Sequence, residues 1–330
     1  MYCSWPYTQY FIDEDGTVTT CCPNWTSINL GNVLNTHPME IWRGERATLL
    51  RQSIVDQSFR YCVRCQNPEA LIEPSFPDPP PNLDLIERLL LSYDPTCNLR
   101  CQSCRKEPRR PHELAKQIHE VVLSSGILKH TLILNLSGDG EALVSPLYWP
   151  MLTSKLDCHP DMTIDLKSNG LLLTPERLKS ITDSGKKFRY IGISVDAATR
   201  ETYALNRGGD WDLLTHNLDK LNDLPYPRGF NFVVQTNNFR EMKKFVEMAL
   251  RYHTVCIYFS GLLNWGTYAD QDYLSRAVHL PGHPLYGELK ELLTDPIFQR
   301  PEIYLASLPS FRPGHAHDHR TTDPLETKNA

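Results

Sequence analysis

Long apolar runs are missing from this 330-residue chain. None approaches the roughly 18 residues that a membrane-spanning helix requires, so no membrane partner is expected. The opening Met1-Tyr2-Cys3-Ser4-Trp5-Pro6 has neither the basic stretch nor the apolar core of a secretory signal, which points to a cytoplasmic protein. An excess of positive charge is missing too. Lys and Arg number 34 against 39 Asp and Glu, a net charge of −5, whereas a protein that grips a phosphate backbone ordinarily presents a basic face. No nucleic-acid partner is expected. With 41% hydrophobic residues, the chain can build one large domain and a small one.

Cysteine is not scarce: there are ten. In a chain with no sign of export, that number argues for metal ligation in a reducing compartment rather than disulfides. Three of them form the Cys-x3-Cys-x2-Cys triplet Cys97, Cys101 and Cys104 directly after an apolar, strand-like run. Three thiolates this close can hold three irons of a cubic cluster and leave the fourth iron open to a small molecule. A structural zinc site is the competing reading. It wants four ligands in paired spacings, and the nearest fourth ligands, His112 and Cys158, stand at no matching distance along the chain.

Beyond residue 83, β-like and helix-like runs alternate, the pattern of a parallel α/β architecture. Strands are expected at Leu85–Tyr93, Thr131–Ser137, Met162–Ser168, Phe188–Val195, Gly229–Gln235 and Thr254–Ser260. Helices are expected at Pro111–Ser125 and Glu241–Tyr252, each with apolar residues on one face. Six such units match the partial (β/α)6 barrel of a superfamily that the cysteine triplet also resembles, which implies functional groups at the carboxyl ends of the strands. Residues 1–73 read as a small amino-terminal domain and 74–82, proline-rich, as a linker. Residues 83–270 are the barrel, 271–311 an extension whose Ile303-Tyr304-Leu305-Ala306 run could close the barrel's open side or contact the amino-terminal domain, and 312–330 a polar tail.

The triplet, together with segments that follow in order, resembles the radical SAM superfamily. The resemblance implies a [4Fe-4S] cluster on Cys97, Cys101 and Cys104, bound S-adenosylmethionine, and its reductive cleavage to a 5′-deoxyadenosyl radical that abstracts hydrogen from an unactivated C–H bond. One departure is visible: the family often places an aromatic residue before the last cysteine, and here it is Ser103.

Leu136-Ser137-Gly138-Asp139-Gly140-Glu141 is similar to the family's Gly-Gly-Glu segment, so Gly140 and Glu141 are expected at the methionyl amino group, with Gly138 shaping the turn. Ser168, in Lys167-Ser168-Asn169-Gly170, resembles a strand end that receives the methionyl carboxylate or ribose. Ser194 and Arg207 resemble further cofactor contacts, an arginine fork suiting a carboxylate. Asp196 faces cofactor or substrate, or else caps the next helix.

The first 70 residues resemble the SPASM or twitch auxiliary-cluster domains, which implies a second [4Fe-4S] cluster on Cys3, Cys21, Cys62 and Cys65, with Cys22 as an alternative to Cys21. A zinc ribbon on the same four cysteines is the structural alternative. An electron donor such as flavodoxin or ferredoxin is implied as partner.

Alternation on the sixth strand sets Thr254, Cys256 and Tyr258 on one face and Val255, Ile257 and Phe259 on the other. If the first face lines the barrel, Cys256 is a hydrogen-atom donor for epimerisation, as in aminoglycoside (neomycin-type) radical SAM epimerases, which the chain resembles; otherwise it is a buried small hydrophobe. The expected substrate is a sugar or aminocyclitol natural product, with a ribosomal peptide as the alternative. A non-catalytic zinc scaffold is the reading outside enzymology.

Overall fold

The computed structural model describes residues 2–63, 82–104, 111–136 and 140–308. Its frame is one ten-stranded sheet, in which three amino-terminal strands flank one edge of the centre and one carboxyl-terminal strand the other. Six consecutive parallel strands form its centre: β4 (Ile86–Leu91), β5 (Thr131–Leu136), β6 (Thr163–Ser168), β7 (Lys187–Ser194), β8 (Arg228–Val234) and β9 (Cys256–Gly261). Each lies inside or within a residue or two of a stretch expected from sequence, because β-branched and aromatic runs bounded by turns are a local signal.

Every crossover between these strands carries a helix, as parallel pairing requires. They are Glu113–Ser124, Tyr148–Thr153, Pro175–Asp183, the pair Arg200–Arg207 and Trp211–Asn222, and Met242–Arg251. Side-chain caps from His112, Thr174, Thr199 and Asp210 start four of them. The helices cover one face of the sheet. Leu89, Leu91, Leu134, Leu136, Ile164, Leu166, Ile191, Ile193, Phe230, Phe232, Ile257 and Phe259 on that face are fully buried. Its aromatic end is a chain of edge contacts, Phe232 to Phe245 at 4.7 Å and Phe245 to Phe259 at 5.8 Å between centroids.

The other face is the concave lumen of an open barrel. Strand alternation assigns it Arg88, Asn135, Asp165, Lys167, Tyr190, Ser194, Asn231, Cys256, Tyr258 and Ser260. The alternation expected for the sixth strand holds from Cys256 onward and fails before it. Thr254 is buried and its hydroxyl donates to the Ala249 carbonyl at 3.1 Å, while Val255 is 56% exposed. The strand begins only at Cys256, so Thr254 belongs to the helix turn.

The amino-terminal module keeps its own elements but not its own sheet. Strands β1 (Gln9–Ile12), β2 (Thr17–Thr19) and β3 (Gly31–Asn32) are antiparallel among themselves. β1, however, pairs parallel with β4, Gln9 opposite Arg88 through Ile12 opposite Leu91. The helix Glu45–Val55 packs beneath through Arg51, whose guanidinium lies 4.3 Å from the Trp42 ring and donates to the carbonyls of Pro6 and Trp42. At the opposite edge Ile303–Tyr304 forms β10, parallel to β9. The short run thus adds a parallel strand at the barrel's far edge, away from the amino-terminal strands. Among the described residues no helix is long and apolar enough to cross a membrane.

Candidate functional site

The triplet sits on the loop that leaves β4. Asp94, just past the strand, organises it: its carboxylate accepts from the Thr96 amide at 2.9 Å and the Thr96 hydroxyl at 2.6 Å, and it also holds the Ser145 hydroxyl. Within the loop the Leu99 N–H donates to Cys97 Sγ at 3.5 Å and the Cys104 N–H to the Cys101 carbonyl at 3.1 Å. Cys101 is buried while Cys97 and Cys104 are half-buried. Burial pushes the Cys101 thiol up, Arg207 opposes this, and Asp196, Cys104 and Cys97 add to it. Cys101 therefore feels the other two thiols and a guanidinium.

The glycine-rich turn after β5 meets this loop directly. A Cβ on Gly140 would lie well inside contact distance of the Asp94 carbonyl oxygen and 2.9 Å from that of Thr96. Glycine is demanded here by the chain's own backbone. Its neighbour Glu141 is 1% exposed. The carboxylate accepts from the Leu143 N–H at 3.2 Å, the Ser168 hydroxyl at 3.1 Å and the Asn169 N–H at 2.6 Å. Burial raises its pKa, and the bonds from Asn169, Leu143 and Ser168 and the charge of Arg207 pull the other way. Glu141 thus clamps the end of β6 to the turn. A further bridge runs from Asn169 Nδ2 to Asn98 Oδ1, 2.7 Å, tying the same strand end to the cysteine loop.

Arg207 closes the helix Arg200–Arg207 and is 14% exposed. Its Nη1 lies 3.0 Å from Asp196 Oδ2. Burial works against its charge, and Cys101, Asp196 and Tyr203 more than offset that, so the pKa lies above the ordinary guanidinium value. Asp196 stands at φ 60°, in the left-handed region, and accepts from the Val233 N–H at 2.7 Å. It does not cap the following helix; Thr199 does. Gln102 N–H donates to the Asn206 carbonyl at 3.3 Å, docking the cysteine loop on that helix.

Two buried donors in this corner have no hydrogen-bond partner: Arg207 Nε and the Tyr203 hydroxyl. Both lie in the field of Cys101. Orphaned buried donors are uncommon, and an anionic iron-sulfur cluster on the thiols would supply the missing acceptors. The donor set, three thiols of one loop at a strand end, fits such a cluster. Sequence reasoning missed Tyr203, although its place one helical turn before Arg207 was available as a signal.

Ser194 ends β7 on the lumen face, half-buried. Gly138 and Cys65 lie outside the described residues. Among those described, no three His, Cys, Asp or Glu side chains are grouped as ligands of a metal ion. In the amino-terminal module three cysteine segments meet around Trp25. Trp5, near Cys3, stacks on Trp25 at 6.1 Å. Cys21 and Cys22 immediately precede that turn, and the Val63 N–H donates to the Trp25 carbonyl at 3.0 Å beside a Thr26–Cys62 bridge.

Cys256 starts β9 on the lumen face, half-buried. Its row across the sheet is Lys167, Gly192, Gly229, Cys256. Tyr190 reaches over the two glycines and hydrogen-bonds to the Cys256 side chain. A Cβ on Gly229 would collide with the Tyr190 hydroxyl. Cys158 lies in the loop before β6 and takes no part.

Residues 91–249 match the model of the radical SAM superfamily and residues 3–66 that of an iron-sulfur cluster-binding domain, SPASM. No curated protein matches. Among solved structures, Streptococcus suis SuiB bound to S-adenosylmethionine is similar at 12% identity and TM-score 0.46 over 93% of this chain and 72% of that one. The structure of TYW1 with a lysine-pyruvate adduct bound is similar at 16% identity and TM-score 0.41 over 62% and 70%. Polyhistidine-tagged anSMEcpe with bound AdoMet is similar at 16% identity and TM-score 0.41 over 54% of this chain, which spans about half, 52%, of that chain. The chain carries a radical SAM domain and a SPASM domain, which imply iron-sulfur clusters and S-adenosylmethionine as cofactors.

Proposed function

We propose that this chain, an enzyme of the radical SAM superfamily with an amino-terminal SPASM domain, inverts a stereocentre of its substrate and uses Cys256 as the hydrogen-atom donor. Cys97, Cys101 and Cys104 would hold the catalytic cluster, and Cys3, Cys21, Cys62 and Cys65 the auxiliary one. Gly140, Ser168, Ser194 and Arg207 would frame S-adenosylmethionine. When bound, the cofactors supply a 5′-deoxyadenosyl radical that removes one hydrogen atom from a substrate C–H bond.

The chain's own residues do the rest. Glu141, its oxygens engaged by Ser168, Leu143 and Asn169, acts through that strand end rather than as a free ligand. Asp196 fixes the direction of the Arg207 fork. The observation that carries the proposal is Cys256 on the lumen face with its side chain bonded to Tyr190. From there the S–H bond breaks and a C–H bond forms on the substrate carbon. The sulfur-centred radical left on Cys256 returns to a thiol with one electron and one proton, the electron from an iron-sulfur or flavin protein such as ferredoxin or flavodoxin.

A panel of sugars, aminocyclitols and peptides, incubated with the anaerobically reconstituted enzyme in D2O, tests the proposal. The wild type should place one deuterium at the inverted carbon. Cys256→Ala should still release 5′-deoxyadenosine but give no inverted product. Inversion by Cys256→Ala at the wild-type rate would sink the role of the thiol.

One observation favours a second reading, dehydrogenation or cross-linking with electron exit through the auxiliary cluster. The pairing of β1 with β4 lays the auxiliary module's first strand directly on the first barrel strand. A product lighter by two hydrogens, with no deuterium gained, would select it.

A further inference from the structure

Along the Cys256 row and below it, the lumen floor carries charge that the chemistry above does not use. Asp165 on β6 is held by Arg189, whose Nε lies 2.8 Å from Oδ1, so its negative charge is already met. Arg88 on β4 stands 3.7 Å from the same carboxylate, beyond hydrogen-bond reach, and its Nε is buried with no partner. Lys167, two residues further along β6, forms no salt bridge among the described residues. It is open to solvent and yet surrounded by protein, the condition of a side chain that projects into a concavity. Burial, with Arg88 beside it, holds its pKa below the ordinary amine value, against Asp165 and Cys256. On β5 the Asn135 Oδ1 is also buried without a partner, on a side chain 5% exposed. Arg88, Lys167 and Arg189 against Asp165 leave two positive charges uncompensated, and a concave wall of low dielectric focuses their field.

We infer that this floor is a subsite for an anionic oxygen group of the substrate, a carboxylate or a phosphate, gripped by Lys167 and Arg88 while Asn135 accepts from an adjacent hydroxyl or amine. The inference rests on the reading that the lumen receives the substrate. It separates substrate classes: polyamine aminocyclitols are repelled by two cations, and acidic sugars, phosphorylated sugars or acidic peptide groups are drawn in. Guanidinium and ammonium groups are the residues suited to such oxygens.

The test is 19F NMR of trifluoroacetate added to the reconstituted holoenzyme, with trifluoroethanol as the neutral counterpart. Wild type should broaden the trifluoroacetate line and leave trifluoroethanol sharp. Lys167→Met and Arg88→Met should each weaken that binding at least tenfold, and Lys167→Arg should retain it, which keeps the test alive if a methionine variant fails to fold. Displacement of trifluoroacetate at lower concentration by inorganic phosphate than by acetate identifies a phosphate site; the reverse order identifies a carboxylate site. No broadening by wild type, or equal broadening by wild type and both methionine variants, overturns the subsite. The same preparations are assayed for 5′-deoxyadenosine. Its formation without anion binding defeats the subsite and leaves the enzyme reading intact, whereas anion binding without it defeats the enzyme reading alone.

Discussion

Asp196, held at φ 60° at the end of β7, and Arg207, at the end of the helix that follows, meet at 3.0 Å with both side chains nearly excluded from solvent. The pair joins a backbone turn of unusual conformation to the guanidinium that faces Cys101. Left-handed backbone at a non-glycine residue costs on the order of 1 kcal/mol. The Val233 N–H, the Asn206 and Asn238 side-chain amides and Arg207 hold Asp196 there against that cost.

Breaking either half should leave the other as an uncompensated buried charge. Asp196→Ala and Arg207→Ala are each expected to lose roughly 3–5 kcal/mol of stability. The double variant should lose less than the sum by about 0.5–3 kcal/mol. Denaturant unfolding of the four proteins checks this, and strictly additive losses would show that the pair is not coupled.

Gly140→Ala should disturb the cysteine loop itself. Its Cβ would run into the backbone oxygens of Asp94 and Thr96, which cannot swing aside as a side chain can. A destabilisation above roughly 2 kcal/mol and a lower iron content per chain are expected. Retained iron and an unchanged melting temperature would mean that the turn shifts freely.

His279 provides a pH dependence. Burial, with His283 adding to it, lowers its pKa to about 4 from the ordinary 6.5, and its Nδ1 is buried without a partner. A histidine depressed in the fold is neutral there while the unfolded chain takes up the proton. Its contribution to stability is therefore complete above about pH 6.5 and lost as pH falls toward 4, with a swing on the order of 3 kcal/mol. His279→Asn should flatten the wild-type stability curve between pH 6.5 and 4. Parallel curves for the two proteins would refute the assignment.

Metal content separates the two cysteine sets. Wild type should hold roughly eight irons per chain, and the Cys97→Ala, Cys101→Ala, Cys104→Ala variant about four, with 5′-deoxyadenosine formation abolished. Iron falling to zero in the triple variant would mean that the module of Cys3, Cys21 and Cys62 does not load independently.

Much of the barrel was legible because its signals are local. Alternating apolar residues mark β4 to β9, and the triplet and the glycine turn announce themselves by spacing. Thr254 was misplaced for the same reason. Alternation cannot say where a strand begins, and the hydrogen bond to Ala249 that ends the helix turn comes from the preceding element.

Element order, the cysteine spacing of the loop after β4 and the strand ends beside that loop are written in the chain itself. Each depends on residue type and spacing within a few positions. It takes the assembled sheet to bring β1 to the barrel at β4, to carry Tyr190 to Cys256 across Gly192 and Gly229, and to set Lys167 and Arg88 on one floor. These relations rest on register between strands far apart in the chain, including the irregularity at Ile164 and Asp165 that sets Tyr190 opposite Asp165. A one-residue change of register would turn each of those side chains to the other face, and no local pattern records which register the assembled sheet adopts.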